Sequence, residues 1–236
     1  MPKSNPFKWR HYESEIILLC VRWYLSYPLS YRQVAEMVNE RGMDIHHTTV
    51  FRWVQRYEPE LEKRCRPHLR PTNDSWRVDE TYVKIKGKDR YLYRAVDSTG
   101  QTLDFLLTAK RDAAAAKRFF RKAMKAAHNR EPRVINVDKN AAYPKAIDQL
   151  KAKKELSEQV ELRQNKYLNN QVEQDHRAIK RLVKPGMGFS SFNTAQRTIK
   201  GYEIMNMMRK GQIEKVEKGA VKERVRFIAE IFGVAA

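Results

Sequence analysis

Residues 76–110, WRVDETYVKIKGKDRYLYRAVDSTGQTLDFLLTAK, decide how this chain folds. The stretch holds three runs rich in β-branched and aromatic residues. WRVDETYVKIKG alternates in character, DRYLYRAVDSTG follows Gly87, and QTLDFLLTAK follows Gly100. Such runs separated by turn-forming glycines predict a three-stranded antiparallel meander. Downstream, DAAAAKRFFRKAMKAAH (112–128) is helical by propensity. RVINVD (133–138) is a short apolar strand, and AAYPKAIDQLKAKK (141–154) is mostly a helix interrupted by Pro144. QVELRQ (159–164) supplies a last strand, and helices dominate from Asn169 onward.

Three strands, a helix, a strand, a helix, a strand and a further helix is the order of a ribonuclease-H-like α/β domain with a mixed five-stranded sheet. Ahead of it the periodicity is helical throughout. In ESEIILLCVRWYLSY, Ile16, Ile17, Cys20, Val21, Tyr24 and Leu25 recur at helical spacing. Ser30 can cap YRQVAEMVNERG, whose inward stripe is Tyr31, Val34, Ala35 and Val38 and whose turn ends at Gly42. A third stripe, Val50, Trp53, Val54 and Tyr57, follows Thr48. Two short helices joined by a Gly-containing connection suit an all-α helix-turn-helix module. Thr48, Thr49, Arg52, Gln55 and Arg56 fall on the outer face of the third helix, where a recognition helix presents groups to base edges and phosphates.

These patterns divide the chain into a helix-turn-helix domain over 1–64, a Pro-containing linker over 65–75 and a ribonuclease-H-like core over 76–190. C-terminal helices over 191–236 are expected to pack on that core or on a partner subunit. The formal charge is +19, and it is not confined to a basic tail. Residues 1–74 carry 12 Lys and Arg against 9 Asp and Glu, 75–157 carry 20 against 10, and 158–236 carry 15 against 9. Such an excess favours a polyanionic partner, because neutralising phosphates releases condensed counterions. Cys20 and Cys65 form no CxxC pair, which suits a reduced protein better than a disulfide framework or a zinc site. No apolar run approaches a membrane span, and the N-terminus lacks the apolar core of a signal peptide. The expectation is a soluble cytoplasmic protein without membrane contact, associated with the nucleoid.

Two-metal phosphoryl transfer needs carboxylates converging from separate elements, since the hard cations take oxygen ligands. Asp79 sits in the first strand. Side-chain alternation sends Asp79 and Glu80 to opposite faces, so that both would not enter one site, and alternation alone does not choose between them. Asp138 ends the apolar strand RVINVD, at the sheet edge where open α/β folds hold ligands. Taken alone, Asp138 reads better as a cap for the helix that follows. Glu173, with Asn170 three residues before it, resembles a capping box. Yet Glu173, Arg177 and Lys180 recur at spacings of four and three along one side of a helix, which would set a metal ligand beside phosphate-binding cations. Asp175 points about 200° round that helix, and His176 reads as a packing or surface residue.

Together, WRVDETYVKIKGK, YLYRAVDSTGQTLDFLL, VINVDKNAAY, KYLNNQVEQDHRAIKR and GFSSFNTAQRTIKGYEIMNMMRKGQ resemble the transposases of the insertion-sequence-six family. The N-terminal NPFKWRHYESEIILLCVRWYLSYPLSYRQVAEMVNERG and HHTTVFRWVQRYEPELEK are similar to the family's helix-turn-helix region, so the resemblance covers nearly the whole chain. It implies a DDE transposase whose triad is Asp79, Asp138 and Glu173. The 34 residues between Asp138 and Glu173 agree with the family's spacing, and Lys180 falls where these enzymes carry a basic residue. One departure is that Val137 and Asn140-Ala141 stand where members often carry Thr and Ala-Pro. The resemblance further implies that the triad holds two Mg²⁺ ions, with Mn²⁺ able to substitute. The DNA partners would be terminal inverted repeats and target DNA, worked on by a homodimer or larger assembly through cointegrates. The rival from another class is a catalytically inactive relative acting as a DNA-binding repressor.

Overall fold

A computed structural model describes residues 6–7, 11–165 and 170–234. The chain divides into two compact units, one comprising 1–69 with 181–236 and the other 70–180.

The second unit is built on the meander. Strands β1 (Ser75–Ile85), β2 (Lys88–Asp97) and β3 (Thr102–Thr108) pair antiparallel, with Lys86 and Gly87 at positive φ in the first turn and Gly100 at φ 88° in the second. Strands β4 (Val134–Val137) and β5 (Glu161–Gln164) add in parallel beside β1, giving the order β3-β2-β1-β4-β5. That order, with one helix between β3 and β4 and one between β4 and β5, is the ribonuclease-H-like arrangement expected from the sequence.

Helices α4 (Ala113–Met124) and α5 (Ala142–Ala152) connect β3 to β4 and β4 to β5. Asp112 caps α4 by accepting from Ala115 N at 2.8 Å. Trp76, Tyr93, Phe119, Phe120, Tyr143 and Ile147 belong to one buried cluster between sheet and helices. Pro144 does not interrupt α5 as expected. It lies in the first turn, where a missing N–H costs no intrahelical bond. The helix α6 (Asn170–Val183) begins at Asn170 itself, so its cap position is residue 169, outside the described residues.

The other unit contains α1 (Ser14–Ser26), α2 (Tyr31–Asn39), α3 (His47–Cys65), α7 (Phe192–Arg209) and α8 (Val221–Phe232). Ser30 and Gln33 form the reciprocal capping box of α2, and Gly42 at φ 82° leads out of its C-terminus. Trp53 is buried on α3, as its stripe predicted. The C-terminal helices depart from expectation: they join the N-terminal helices, so the unit boundaries fall at 69/70 and 180/181 rather than at 64, 75 and 190. The cause lies in α7, whose residues 201–208 are buried on every side. Ala195, Ile199, Tyr202, Ile204, Met205, Met207 and Met208 are all buried, so this helix needs neighbours on several sides, and α1 and α3 supply them. Phe232 of α8 packs 5.8 Å from Phe7 and 6.4 Å from Tyr57.

Cys20 and Cys65 are free thiols buried in this unit, where desolvation pushes both upward, Cys20 to about 11. Among the described residues, no helix is long and apolar enough to cross a membrane.

Candidate active site

The site forms where β4 leaves β1. Those strands pair only from Ser75↔Val134 to Arg77↔Asn136, and β1 then runs on while β4 ends at Val137. Asp79 follows two residues beyond the pairing on β1, and Asp138 follows directly after β4. The separation of the strands opens room for both side chains. Asp138 does not cap α5, whose cap position is Ala141. Instead its Oδ1 accepts from Asn140 N at 3.0 Å, and Asn140 Oδ1 accepts from Ala142 N at 3.0 Å. Two consecutive Asx turns therefore hold the loop that carries Asp138.

Glu80 departs from the alternation argument. Carboxylate oxygens of Asp79, Glu80 and Asp138 lie within 4.8 Å of one another. The backbone does alternate, but Asp138 sits at the strand end rather than on either face, and the longer Glu80 side chain reaches it from the α5 side. Tyr143 donates its hydroxyl to Glu80 Oε2, and Asn140 Nδ2 donates to Oε1 at 3.4 Å. Arg111 pairs with Glu80 and also stands 3.3 Å from Asp138 Oδ2. Glu80 thus has both oxygens committed within the protein, whereas Asp79 faces the opposite side toward α6. Sequence reasoning missed Arg111, Asn140 and Tyr143 as companions of the carboxylates. The only advance signal was their position at the N-terminal ends of α4 and α5.

α6 brings the third carboxylate. Val172, His176 and Ile179 are buried, and Asp175 is nearly so, which leaves Glu173, Arg177 and Lys180 together on the exposed side. Asp175 Oδ2 stands 2.6 Å from Arg94 Nη2, and Arg94, the cross-strand partner of Asp79, is fully buried. Gln171 adds two ties, accepting from Arg77 and donating to Ser98 O at 3.1 Å. The angular separation of Asp175 from Glu173 foreseen in the sequence therefore turns one carboxylate inward to anchor the helix. The other stays at the rim.

The electrostatics record the convergence. Burial pushes the Asp79 carboxyl up to about 7, and the charges of Glu80, Asp138 and Glu173 add to that rise. His176 Nδ1 is 3.8 Å from Asp79 Oδ2, yet burial, Arg94 and Lys180 hold the imidazole down to about 3. His176 is therefore neutral and does not compensate Asp79. It is a packing histidine at the site, buried rather than on the surface. A cluster of oxygen-only donors, whose three carboxylates are met by one arginine, Arg111, fits a hard divalent cation. The carboxylates gathered closely enough to share an ion are Asp79, Glu80 and Asp138, and Glu173 on α6 acts on Asp79 through its charge.

The outer residues of α3 sort less cleanly. Thr48, Arg52 and Arg56 are exposed, Thr49 is half-buried, and the helix opens at His47 with His46 Nδ1 accepting from Thr48 N. Gln55 is corrected: its Nε2 donates to Thr198 Oγ1 at 3.0 Å, so its amide is engaged by α7 rather than displayed. The periodicity of α3 alone could not reveal a helix covering its flank from 143 residues away.

Comparison with known proteins closes the identification. Residues 73–212 match the family model described as a DDE domain. The transposase of the insertion-sequence-like element IS431mec from Staphylococcus aureus strain Mu50 is 40% identical over 205 residues, covering 85% of this chain and 87% of that protein. The chain belongs to the insertion-sequence-six family of DDE transposases. The transposase of element IS257 in transposon Tn4003, also from Staphylococcus aureus, is 39% identical to this one over the same length. Among solved structures, the HTLV-2 integrase catalytic core domain in complex with magnesium is similar at 18% identity. It has a TM-score of 0.39 and covers 50% of this chain and 73% of that one. Its membership of the DDE transposase family makes it an enzyme of DNA strand cleavage and strand transfer.

Proposed function

We propose that the transposase binds the terminal inverted repeats of its element, frees a 3′-OH at each end and joins those ends to target DNA. Asp79, Asp138 and Glu173 would hold two Mg²⁺ ions, with Mn²⁺ as a substitute. Such ions supply Lewis-acid polarisation of the scissile phosphate and lower the pKa of a coordinated water. The protein's own residues do the rest. Arg94 and Asp175 fix α6 so that Glu173 stands at the rim beside Asp79. Lys180 and Arg177, on the same exposed side as Glu173, hold the DNA backbone in line with the attacking oxygen. In the first step water attacks the phosphodiester and the 3′ oxygen leaves as the hydroxyl. In the second, that 3′-OH attacks a target phosphate and displaces the target's own 3′ oxygen. One strand cut per end leads to a replicative, cointegrate-forming product. Thr48, Thr49, Arg52 and Arg56 of α3 contact the repeat, and a homodimer or larger assembly brings two ends together.

The observation that supports the reading most is the approach of the Asp79, Glu80 and Asp138 carboxylate oxygens to within 4.8 Å of one another. Burial first, and then the charges of Glu80, Asp138 and Glu173, push the Asp79 carboxyl up to about 7. The test is cleavage and strand transfer on oligonucleotides bearing the element's ends, with Mg²⁺. Asp79→Asn and Glu173→Gln are expected to lose both reactions by at least a hundredfold while still binding the ends. Equal cutting by either variant and the parent would refute the assignment. Should the parent also bind without cutting, the repressor reading replaces it.

A further inference from the structure

The helical unit contains a cleft of about 310 Å³ that the catalytic reading does not use. It lies between the start of α2, the exposed side of α3 and the loop following α6, and Tyr31, Phe51, Phe189 and Tyr202 are among its walls. Tyr31 stacks on Tyr24 at 4.1 Å and meets Phe51 edge-on at 5.4 Å, so the aromatic rings form one continuous surface. Phe51 remains 37% exposed on α3, directly beside the exposed Arg52. Ser190 and Thr194 add hydroxyls, so the lining is aromatic with a few polar groups. The volume stands at the small end of ligand pockets, room for one flat ring system rather than a large molecule.

A second observation comes from the loop itself. Gly186 and Gly188 line the cleft, and between them Met187 is 90% exposed at φ 54°. A non-glycine residue held in the left-handed region, with a large apolar side chain in water, is an uncommon combination. Arg32, Arg52 and Lys184, each next in sequence to a residue lining the cleft, are all exposed. The surroundings are therefore cationic and the interior aromatic. That pairing matches a nucleic-acid strand, whose backbone is anionic and whose bases carry π-faces.

We propose that this cleft takes a single nucleobase turned out of a DNA duplex, and that Met187 is the wedge that fills the gap the base leaves. The inference rests on the DNA-binding reading of α3 and extends it, from contacts along the groove to capture of an unstacked base. Apolar wedges between base steps and aromatic pockets for extruded bases are the two parts such deformation requires.

The test uses the full-length protein and three duplexes of otherwise identical sequence. One is fully paired, one carries a 2-aminopurine mismatch, and one carries 2-aminopurine as an extrahelical bulge. Affinity is measured by anisotropy, and 2-aminopurine emission reports stacking. The parent is expected to bind the bulged duplex about tenfold more tightly than the paired one, with quenched emission, as stacking on an aromatic wall predicts. Phe51→Ala should abolish that ratio and the quenching. Because each ratio is taken within one variant, a loss of folded fraction cancels. Met187→Ala should lower the preference for the mismatch, where a gap must be filled, and leave the preference for the bulge, where none exists. Equal affinity of the parent for all three duplexes would overturn the base pocket while leaving DNA binding intact. Failure to bind any of them would overturn the DNA-binding reading and the pocket together.

Discussion

Replacing Asp79 with Asn tests the charge convergence through stability, independently of any DNA substrate. The carboxyl rises from an ordinary 3.8 to about 7, chiefly by burial and then by Glu80, Asp138 and Glu173. Between those values the folded protein keeps a proton that the unfolded chain has released. The metal-free protein therefore loses stability as pH climbs from about 4 to about 7, and the loss levels off above that. At about 1.36 kcal/mol per unit, the whole shift costs about 4 kcal/mol at pH 8, of which about 2 kcal/mol is already present at pH 5. The Asp79 side chain is only 16% exposed, so solvent screening takes little from this figure. Urea unfolding of the parent and Asp79→Asn in chelator, at pH 5 and pH 8, measures the difference. The variant should gain about 2 kcal/mol on the parent between the two conditions. Adding Mg²⁺ at pH 8 should then stabilise the parent and leave the variant nearly unmoved, since the ion relieves a repulsion the variant lacks. Parallel stability curves for the two proteins would show that Asp79 does not carry uncompensated charge, and the electrostatic case for the site would fail.

Three further outcomes follow from the packing. Arg94→Met leaves Asp175 nearly buried without its guanidinium partner, and should cost about 3–5 kcal/mol; Arg94→Met with Asp175→Leu should recover much of that loss in a double-mutant cycle. Gly201→Ala on α7 gains helix propensity. Its Cβ, however, would stand 2.5 Å from Glu58 Cγ and 2.7 Å from Leu25 Cδ2. A net destabilisation of about 1–3 kcal/mol, read as a lowered Tm, is expected, and an unchanged Tm would mean the helices can part there. Deleting residues 1–64 uncovers the apolar surface of α7. The truncated chain should therefore aggregate in size-exclusion chromatography rather than yield a well-behaved catalytic fragment, and a monodisperse product with full α7 helicity by circular dichroism would contradict the two-unit division.

Sequence by itself determined the elements and their order. Alternation with glycine turns specified β1 to β3, and propensity specified α4. The apolar run ending at Asp138 specified β4, because a four-residue strand buried on both faces reads as continuous hydrophobic sequence. Helical spacing also placed Glu173, Arg177 and Lys180 on one side of α6, since that periodicity is local. Tertiary structure alone decided what depends on residues distant in the chain. Asp175 turns to Arg94 and Gln55 to Thr198, and no local pattern encodes either partner. Glu80 approaches Asp138 because β1 outruns β4, a matter of where pairing stops rather than of alternation. The assignment of α7 and α8 to the N-terminal helices was likewise out of reach. Tyr202, Ile204, Met205, Met207 and Met208 announce that this part of α7 will be buried, but hydrophobicity has no direction and does not say against what.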